Sequence, residues 1–534
     1  MLLMIIKRIK MKQKIFFAII GCSLLIGTGC KKSLLNTAPD NKYVESNFWT
    51  SEAAADAALS GCYATLTYTG LFGGVATPLF EETASPNAYD YDNSAGFNFI
   101  AEGKQIPSST GIIQSRYHDC YTGIGRCNTF LAKAGDVPGI DAATLDRMKG
   151  EAKFLRALYY FMLENYYGGV PLILDAPDRA TQANLPRNSR EEVVAQILKD
   201  LDSAAMVLPL SYSGDDVGRV TKGAALSLKA RVLLFEASPL FNTNNDVAKW
   251  KTAADAAKAV MDLAPQAGYA LYDNYRNLFL PQNENNEEVI FDVQFIYPDL
   301  GNSFDLIDKQ YNTNAPLLGL AQTYDMNNGL PITDPASGYD PNNPYANRDP
   351  RLYQTIVYPG DSFMNVIVTP TRFAITGFGL KKYSIYDRGP APAGMGDLKS
   401  GQSETNYIVL RYADILLMYA EAQNEAVGPD ASVYAAINAV RERAGMPDIA
   451  ATHTQSELRD IIRHERRIEF AGEGMYYNDI RRWKTAEVVL NAPIYTYNES
   501  EIETRKFDAA RDYFWPIPQT ELDLNPALEQ NPGY

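Results

Sequence analysis

Histidine is nearly absent from this chain: His118, His453 and His464 are its three copies, each in a separate segment. That scarcity excludes a metalloprotease helix, which needs two histidines four residues apart with a glutamate between them. Cysteine is scarce too, with five copies. Two of them, Cys22 and Cys30, lie in the leading segment; Cys62, Cys120 and Cys127 match no zinc spacing. Cys120 and Cys127 fall about two helical turns apart, roughly 10 Å at 1.5 Å per residue, too far for a disulfide. All three are expected as buried thiols acting as small hydrophobes. Basic charge is also short, 49 Lys and Arg against 64 Asp and Glu, for a net charge of −15. A general nucleic-acid binder needs a basic face, so that class is excluded. No G-x-S-x-G and no phosphate-cradling glycine loop occurs, and no cofactor or metal site is expected.

What the chain has in quantity is tyrosine, 34 copies against 22 Phe and 4 Trp. Tyrosine carries an apolar face and a polar tip, which suits both packed helices and wet binding surfaces. The 534 residues are 46% hydrophobic and 21% charged, the balance of a globular protein large enough for a sizeable core.

The N-terminus reads as a targeting segment. MKQK, from Met11, is a basic stretch, and IFFAIIGCSLLIGTG runs apolar up to Cys30. The run is too short for a comfortable membrane span and fits a signal-peptide core. Gly27, Thr28 and Gly29 precede Cys30 as small residues, and Lys31 and Lys32 come directly after it. This resembles a bacterial lipoprotein signal, which implies lipidation of Cys30. Gly27 stands where such signals usually place leucine, and Cys22 is a rival site with a very short apolar core. Met11 begins a better signal than Met1. Removing residues 1–29 takes away Lys7, Arg8, Lys10, Lys12 and Lys14 and no acid, so the mature chain carries about −20.

Helical periodicity dominates the chain beyond Cys30. In MKGEAKFLRALYYFMLENYYG the apolar positions Met148, Ala152, Leu155, Tyr159, Met162 and Tyr166 form one stripe, stopped by Gly168 and Gly169. REEVVAQILKDLDSAAMVLP, KGAALSLKARVLLFEAS, WKTAADAAKAVMDLA, RYADILLMYAEAQNEA and ASVYAAINAVRERAG repeat the pattern. Helix pairs with Ala and Tyr at contact positions suggest tetratricopeptide-like units. Two irregular segments interrupt them. One is LFGGVATPLFEETASPNAYDYDNSAGFNFI; the other runs from about 267 to 406 and contains one strand-like stretch, NEEVIFDVQFIYPD. Long irregular insertions in a regular scaffold are commonly functional.

The motifs, in order, resemble the SusD/RagB family of outer-membrane lipoproteins from Bacteroidetes. They include LLNTAPDNKY, NFWTSEAAADAALSGCYATL, EAKFLRALYYFMLENYYGGVPLIL, NPYANRDPRL, YIVLRYADILLMYAEAQNEA, INAVRERAGMP, IRHERRIEFAGEGMYYNDIRRWK and YFWPIPQTELDLNPALEQNPGY. The resemblance implies an all-α, tetratricopeptide-like helix-pair scaffold with long irregular loops and a few short strands. It implies a signal peptide at 1–29 and one SusD-like domain at 30–534. That domain would have a helical part at about 30–266, a loop-rich insertion at about 267–406 and a motif-bearing part at about 407–534. It further implies a surface-exposed protein, lipid-anchored to the outer membrane. Such a protein binds oligosaccharide and sits as a lid on a SusC-like TonB-dependent transporter.

One stretch looks catalytic. HERRIEFAGEGMYYNDIRRW, His464 to Trp483, holds one histidine, four arginines and four acidic residues. The spacing offers i,i+3 and i,i+4 ion pairs among Arg463, Glu465, Arg466, Arg467 and Glu469, extended by Asp479, Arg481 and Arg482. Structural charge networks readily imitate active sites, and packing accounts for this stretch better than catalysis does. Glu421 and Arg411 get the same reading, and no catalytic residue is assigned.

Trp49, Trp250, Trp483 and Trp515 all sit in scaffold motifs, so tyrosine and phenylalanine must supply any sugar platform in the irregular segments. The candidates are Asn87, Tyr89, Tyr91 and Phe97 in the first segment, and Phe295, Tyr297, Phe304 and Tyr311 in the second, with Tyr339 and Tyr345 in reserve. Tyr89 and Tyr91 alternate along an extended stretch, so one of them faces a shared groove. Rival functions are peptide or protein capture, a lipid-anchored glycan hydrolase, and a tetratricopeptide-type assembly adaptor.

Overall fold

A computed structural model describes residues 48–93, 95–394 and 398–534. The signal segment, Cys22 and Cys30 lie outside the described residues.

Helix positions follow the capping chemistry. α1 (Glu52–Ala64) begins at Ser51, whose side chain accepts from Ala54 N. α2 is Ile112–Lys133. α3 (Ala142–Tyr167) starts on Asp141, which accepts from two helix amides. α4 (Arg190–Val207) opens with a reciprocal capping box between Ser189 and Glu192. α5 (Lys222–Ala237) is capped by Thr221 and α6 (Val247–Ala267) by Asp246. After the long insertion come α7 (Tyr412–Val427), α8 (Ala431–Arg443), capped by Asp430, and α9 (Gln455–Glu469), with a Thr454–Glu457 capping box. α10 (Tyr476–Arg482) is short. Each cap satisfies amides that would otherwise lack partners and contributes about 1 kcal/mol. Gly168, Gly268 and Gly428 end α3, α6 and α7 at positive φ, a region closed to most side chains.

The helices pack mostly on their sequence neighbours: α2 on α3, α3 on α4, α4 on α5, α5 on α6, α6 on α7, and α7 on α8 and α9. This is the helix-pair stack that the periodicity predicts. α3 departs from the expectation of a single stripe. From Phe154 to Tyr167 every residue is buried, which makes α3 the central helix, with Arg156 and Glu164 held by ion pairs to Asp200 and Arg190.

Strands are few and short. β1 (Ala88–Tyr89) pairs antiparallel with β3 (Ala315–Pro316), Tyr89 opposite Ala315. β2 (Val289–Val293) pairs antiparallel with β4 (Tyr407–Arg411), Val293 opposite Tyr407. The second ladder returns the insertion to the scaffold directly before α7. The first joins the two irregular segments. The principal core runs from Ala55 to Ile517, and two smaller clusters lie under the insertion. Among the described residues no helix is long and apolar enough to cross a membrane.

Candidate functional site

The His464–Trp483 stretch is charged throughout, yet its carboxylates are enclosed. Glu465 accepts from Arg351 at 2.5 Å and from Arg441 at 2.8 Å. Glu469 receives Arg351 at 2.9 Å, Arg411 at 2.7 Å and Arg443. Glu473 takes Arg411 and Lys382, each at 2.7 Å. Arg466 reaches Asp414 at 2.9 Å and Asp479 at 3.1 Å, while Arg482 reaches Glu421 at 2.5 Å. The network exists, but most of its pairs join separate elements. Among the described residues, the i,i+3 and i,i+4 pairs expected within α9 do not form; of the pairs read from spacing, Asp479–Arg482 is the one present. Arg481 donates to the carbonyls of Asn165 and Tyr513, Arg467 to Asn87, and Arg463 lies over the Trp483 ring. Burial alone would raise the Glu421 and Asp414 carboxyls; the guanidiniums of Arg482 and of Arg231 and Arg466 hold each down to about 2. Glu421 and Asp414 are thereby kept ionised, and the enclosed ion pairs hold this core together.

The sequence candidates divide by burial. Phe97, Phe295 and Phe304 are core residues, not platforms. Phe97 packs edge-on to Trp515, and Phe304 lies between Phe295, Tyr383 and Tyr407. Asn87 is also enclosed: it donates to Glu82 at 2.6 Å and accepts from Arg467 at 2.8 Å. These four leave the set of surface contacts. Without a regular period, the sequence does not say which side of an irregular segment faces inward. Tyr345 stacks on Tyr358 at 4.3 Å, and Tyr339 lies under Arg348. Trp250, Trp483 and Trp515 are buried as expected, and Trp49 is half-buried against Phe130.

Tyr89, Tyr91, Tyr297 and Tyr311 remain at the surface. Tyr91 is 43% and Tyr311 47% exposed. The β1–β3 ladder brings their segments side by side. Burial raises the Tyr91 phenol, and Asp92, Asp90 and Tyr311 add to it. Tyr89 is half-buried, its phenol raised first by burial and then by Glu503 and Glu102. Tyr297, 44% exposed, projects from a separate turn closed by the Ile296–Leu300 bridge.

Three features build the face around Tyr91. Beneath it, Asp90 is buried, and burial with the adjoining Asp92 pushes its carboxyl up to about 7. Beyond it, Asn93 adopts the left-handed region at φ 55° and accepts from Phe99 N at 3.1 Å. That turn sets Phe99, 44% exposed, on a cavity of about 380 Å³ lined also by Lys104 and the Ser108–Ser109–Thr110 run. The residue behind β1 is Arg505, which donates to the carbonyls of Ser85 and, at 2.9 Å, Ala88. Sequence reading missed Phe99 and the serine run; the adjoining SPNAYDYDNSAG turn signals were the available clue.

Comparison with known proteins follows the same architecture. The sequence profile described as "SusD family" matches residues 288–534, and the profile described as "Starch-binding associating with outer membrane" matches residues 35–234. "SusD-like protein P2" of Formosa agariphila is 26% identical over 542 residues, covering 98% of this chain and 100% of that protein. A crystal structure of a SusD-like carbohydrate binding protein from Bacteroides fragilis superposes with a TM-score of 0.78 at 28% identity, covering 90% of this chain and 100% of that one. A laminarin binding SusD-like protein superposes with a TM-score of 0.71 at 27% identity, covering 91% of this chain and 100% of that one. With both ends of the helix-pair stack matched by profile and nearly the whole chain matched by fold, the chain belongs to the SusD/RagB family.

Proposed function

We propose that this protein binds neutral oligosaccharide on the Tyr91–Tyr311 face at the cell surface, lipid-anchored to the outer membrane through Cys30, and delivers it to a SusC-like TonB-dependent transporter. The observation that carries the reading is that Tyr91 and Tyr311 are both exposed on the segments flanking the β1–β3 ladder, with Asn93, two residues from Tyr91, lining the Phe99 cavity. Two aromatic faces cover the C–H faces of sugar rings, and the Ser and Asn groups of the cavity exchange hydrogen bonds with hydroxyls. Relatives of this fold named for carbohydrate and laminarin binding support the ligand class. Neutrality is read from the balance of the surroundings: Glu102 is paired with Lys104 and Glu503 with Arg505, burial pushes the Asp90 carboxyl up to about 7, and the chain is acidic overall. A sulfated or uronic polymer meets repulsion there. The enclosed His464–Trp483 carboxylates assign no catalytic role.

Calorimetry against a panel of neutral and acidic polysaccharides tests the reading. A few aromatic contacts must offset the freedom lost on binding, so a Kd in about the micromolar to millimolar range is expected for short fragments. Binding to acidic polymers alone, or to peptides alone, would sink it. Purification in mild detergent at native expression should bring down the transporter; repeated recovery without a barrel protein counts against delivery.

A further inference from the structure

Asp90 stands between Tyr89, the last residue of β1, and Tyr91, and it is completely buried. Its Oδ1 accepts from Asp92 N at 3.2 Å, which closes a small turn around Tyr91. Its Oδ2 is enclosed without a hydrogen-bond partner. Asn93, bonded to Phe99 N at 3.1 Å, carries the same stretch of chain on to the cavity. One enclosed carboxyl thus shapes the backbone between an exposed ring and the cavity rim. The charged groups of the neighbouring elements are engaged elsewhere. The turn at 82–84, packed on β1, brings Glu82, which accepts from Asn87 at 2.6 Å and from Gly474 N at 2.9 Å. Arg505 spends its guanidinium on the Ser85 and Ala88 carbonyls and on Glu503 at 3.5 Å. Lys104 pairs with Glu102. On the segment leading to β3, Asp308 accepts from Asn314 at 3.1 Å and Lys309 lies over the Tyr386 ring. Full enclosure, one amide donor and the adjoining Asp92 favour the neutral carboxyl, which is pushed up to about 7.

We propose that Asp90 is a proton-operated latch on the glycan face: neutral, it keeps the Tyr91 turn closed and fit to bind; ionised, it draws in water and the turn opens. The inference rests on the reading that Tyr91 meets the glycan. An ionised Oδ2 needs donors that the closed turn does not supply, so water must reach it. Repulsion from Asp92 on the same turn acts in the same direction. Opening moves Tyr91, because the Asp90–Asp92 bond spans that residue. A glycan that binds the closed turn therefore binds the protonated form, and its affinity falls as pH rises. One proton is involved, so the loss is at most about tenfold per pH unit above the transition.

The experiment is calorimetry with laminarin on the full chain in mild detergent, at constant ionic strength. The wild-type Kd should rise about 5- to 10-fold between about pH 6 and 8. Asp90→Asn, neutral at every pH, should hold the acid-side affinity throughout. Glu82→Gln removes a buried acid outside the turn and should keep the wild-type slope. A flat wild-type profile, or a slope that survives Asp90→Asn, overturns the latch. A second measurement needs no glycan and leaves the carboxyl in place. Tyr91→Trp puts a fluorescent ring on the turn, read as the difference in emission from the parent. One shift between about pH 6 and 8, absent when Asp90→Asn is added, supports the latch, and constant emission overturns it. A wild type that binds neither laminarin nor any other neutral glycan at any pH sinks the glycan reading, and the Tyr91→Trp emission then decides the turn on its own.

Discussion

Arg411 Nη1 donates to Glu469 Oε1 at 2.7 Å across 58 residues of sequence, with both side chains enclosed. Arg411 ends the strand that closes the insertion, and Glu469 ends α9. The pair therefore fastens the loop-rich part to the motif-bearing helices. Glu469→Gln removes the charge that Arg351, Arg411 and Arg443 share. A loss of about 3–5 kcal/mol is expected in urea unfolding, the cost of removing one buried counter-charge that three enclosed guanidiniums share. Wild-type stability in this variant would contradict the packing role.

The pH dependence of stability has two opposing parts. Glu421 and Asp414 are held near 2, below their unfolded values of about 4, so their stabilisation is complete above pH 4 and lost as pH falls toward 2. Glu82 and Asp90 are raised by burial to about 7 and Asp292 to about 6. Ionising them costs the folded state, so stability rises as pH drops from about 7 toward their unfolded values near 4. Thermal unfolding should peak at mildly acidic pH. Glu82→Gln should flatten the alkaline limb and leave the acid limb unchanged.

Tyr91→Ala and Tyr311→Ala should each weaken glycan binding about 5-fold or more at unchanged melting temperature, given roughly 1 kcal/mol per aromatic contact. Phe97→Ala and Phe304→Ala should lower stability by about 3–5 kcal/mol, as large-to-small changes in an enclosed site. If both tyrosine variants keep wild-type affinity for a glycan the parent binds, the site lies elsewhere, and Tyr297 is the next position to test.

Cys30→Ala should abolish palmitate labelling and release the protein from the membrane fraction, while Cys22→Ala should do neither, since acyl chains supply about 0.8 kcal/mol per buried CH₂. Labelling that survives Cys30→Ala and disappears with Cys22→Ala would move the anchor.

The scaffold was legible because helices repeat. The Met148–Tyr166 stripe, the Ser189 capping box and Gly168 are local signals, and each marks an element where one exists. The charge network was legible in kind and misleading in pairing. Spacing proposes partners within α9, but the structure supplies Arg351, Arg411, Arg441 and Arg443 from other elements. Exposure among the candidate aromatics was half legible. Tyr91 and Tyr311 came from composition alone, while Phe97 and Phe304 came from the same composition and face inward. Phe97 and Phe304 each open a helix of a few residues, and elements so short leave no period to read.

The Arg505 clamp on the Ser85 and Ala88 carbonyls sets an order of events during biosynthesis. Gln105 and Asp512 add a second tie between the same two parts of the chain, at 2.6 Å. The helices of the stack pack mostly on their neighbours in sequence. The tyrosine face is different: its inner wall arrives with nearly the last residues synthesised. A chain truncated before Arg505 keeps the helix stack and lacks the inner wall of the proposed glycan face.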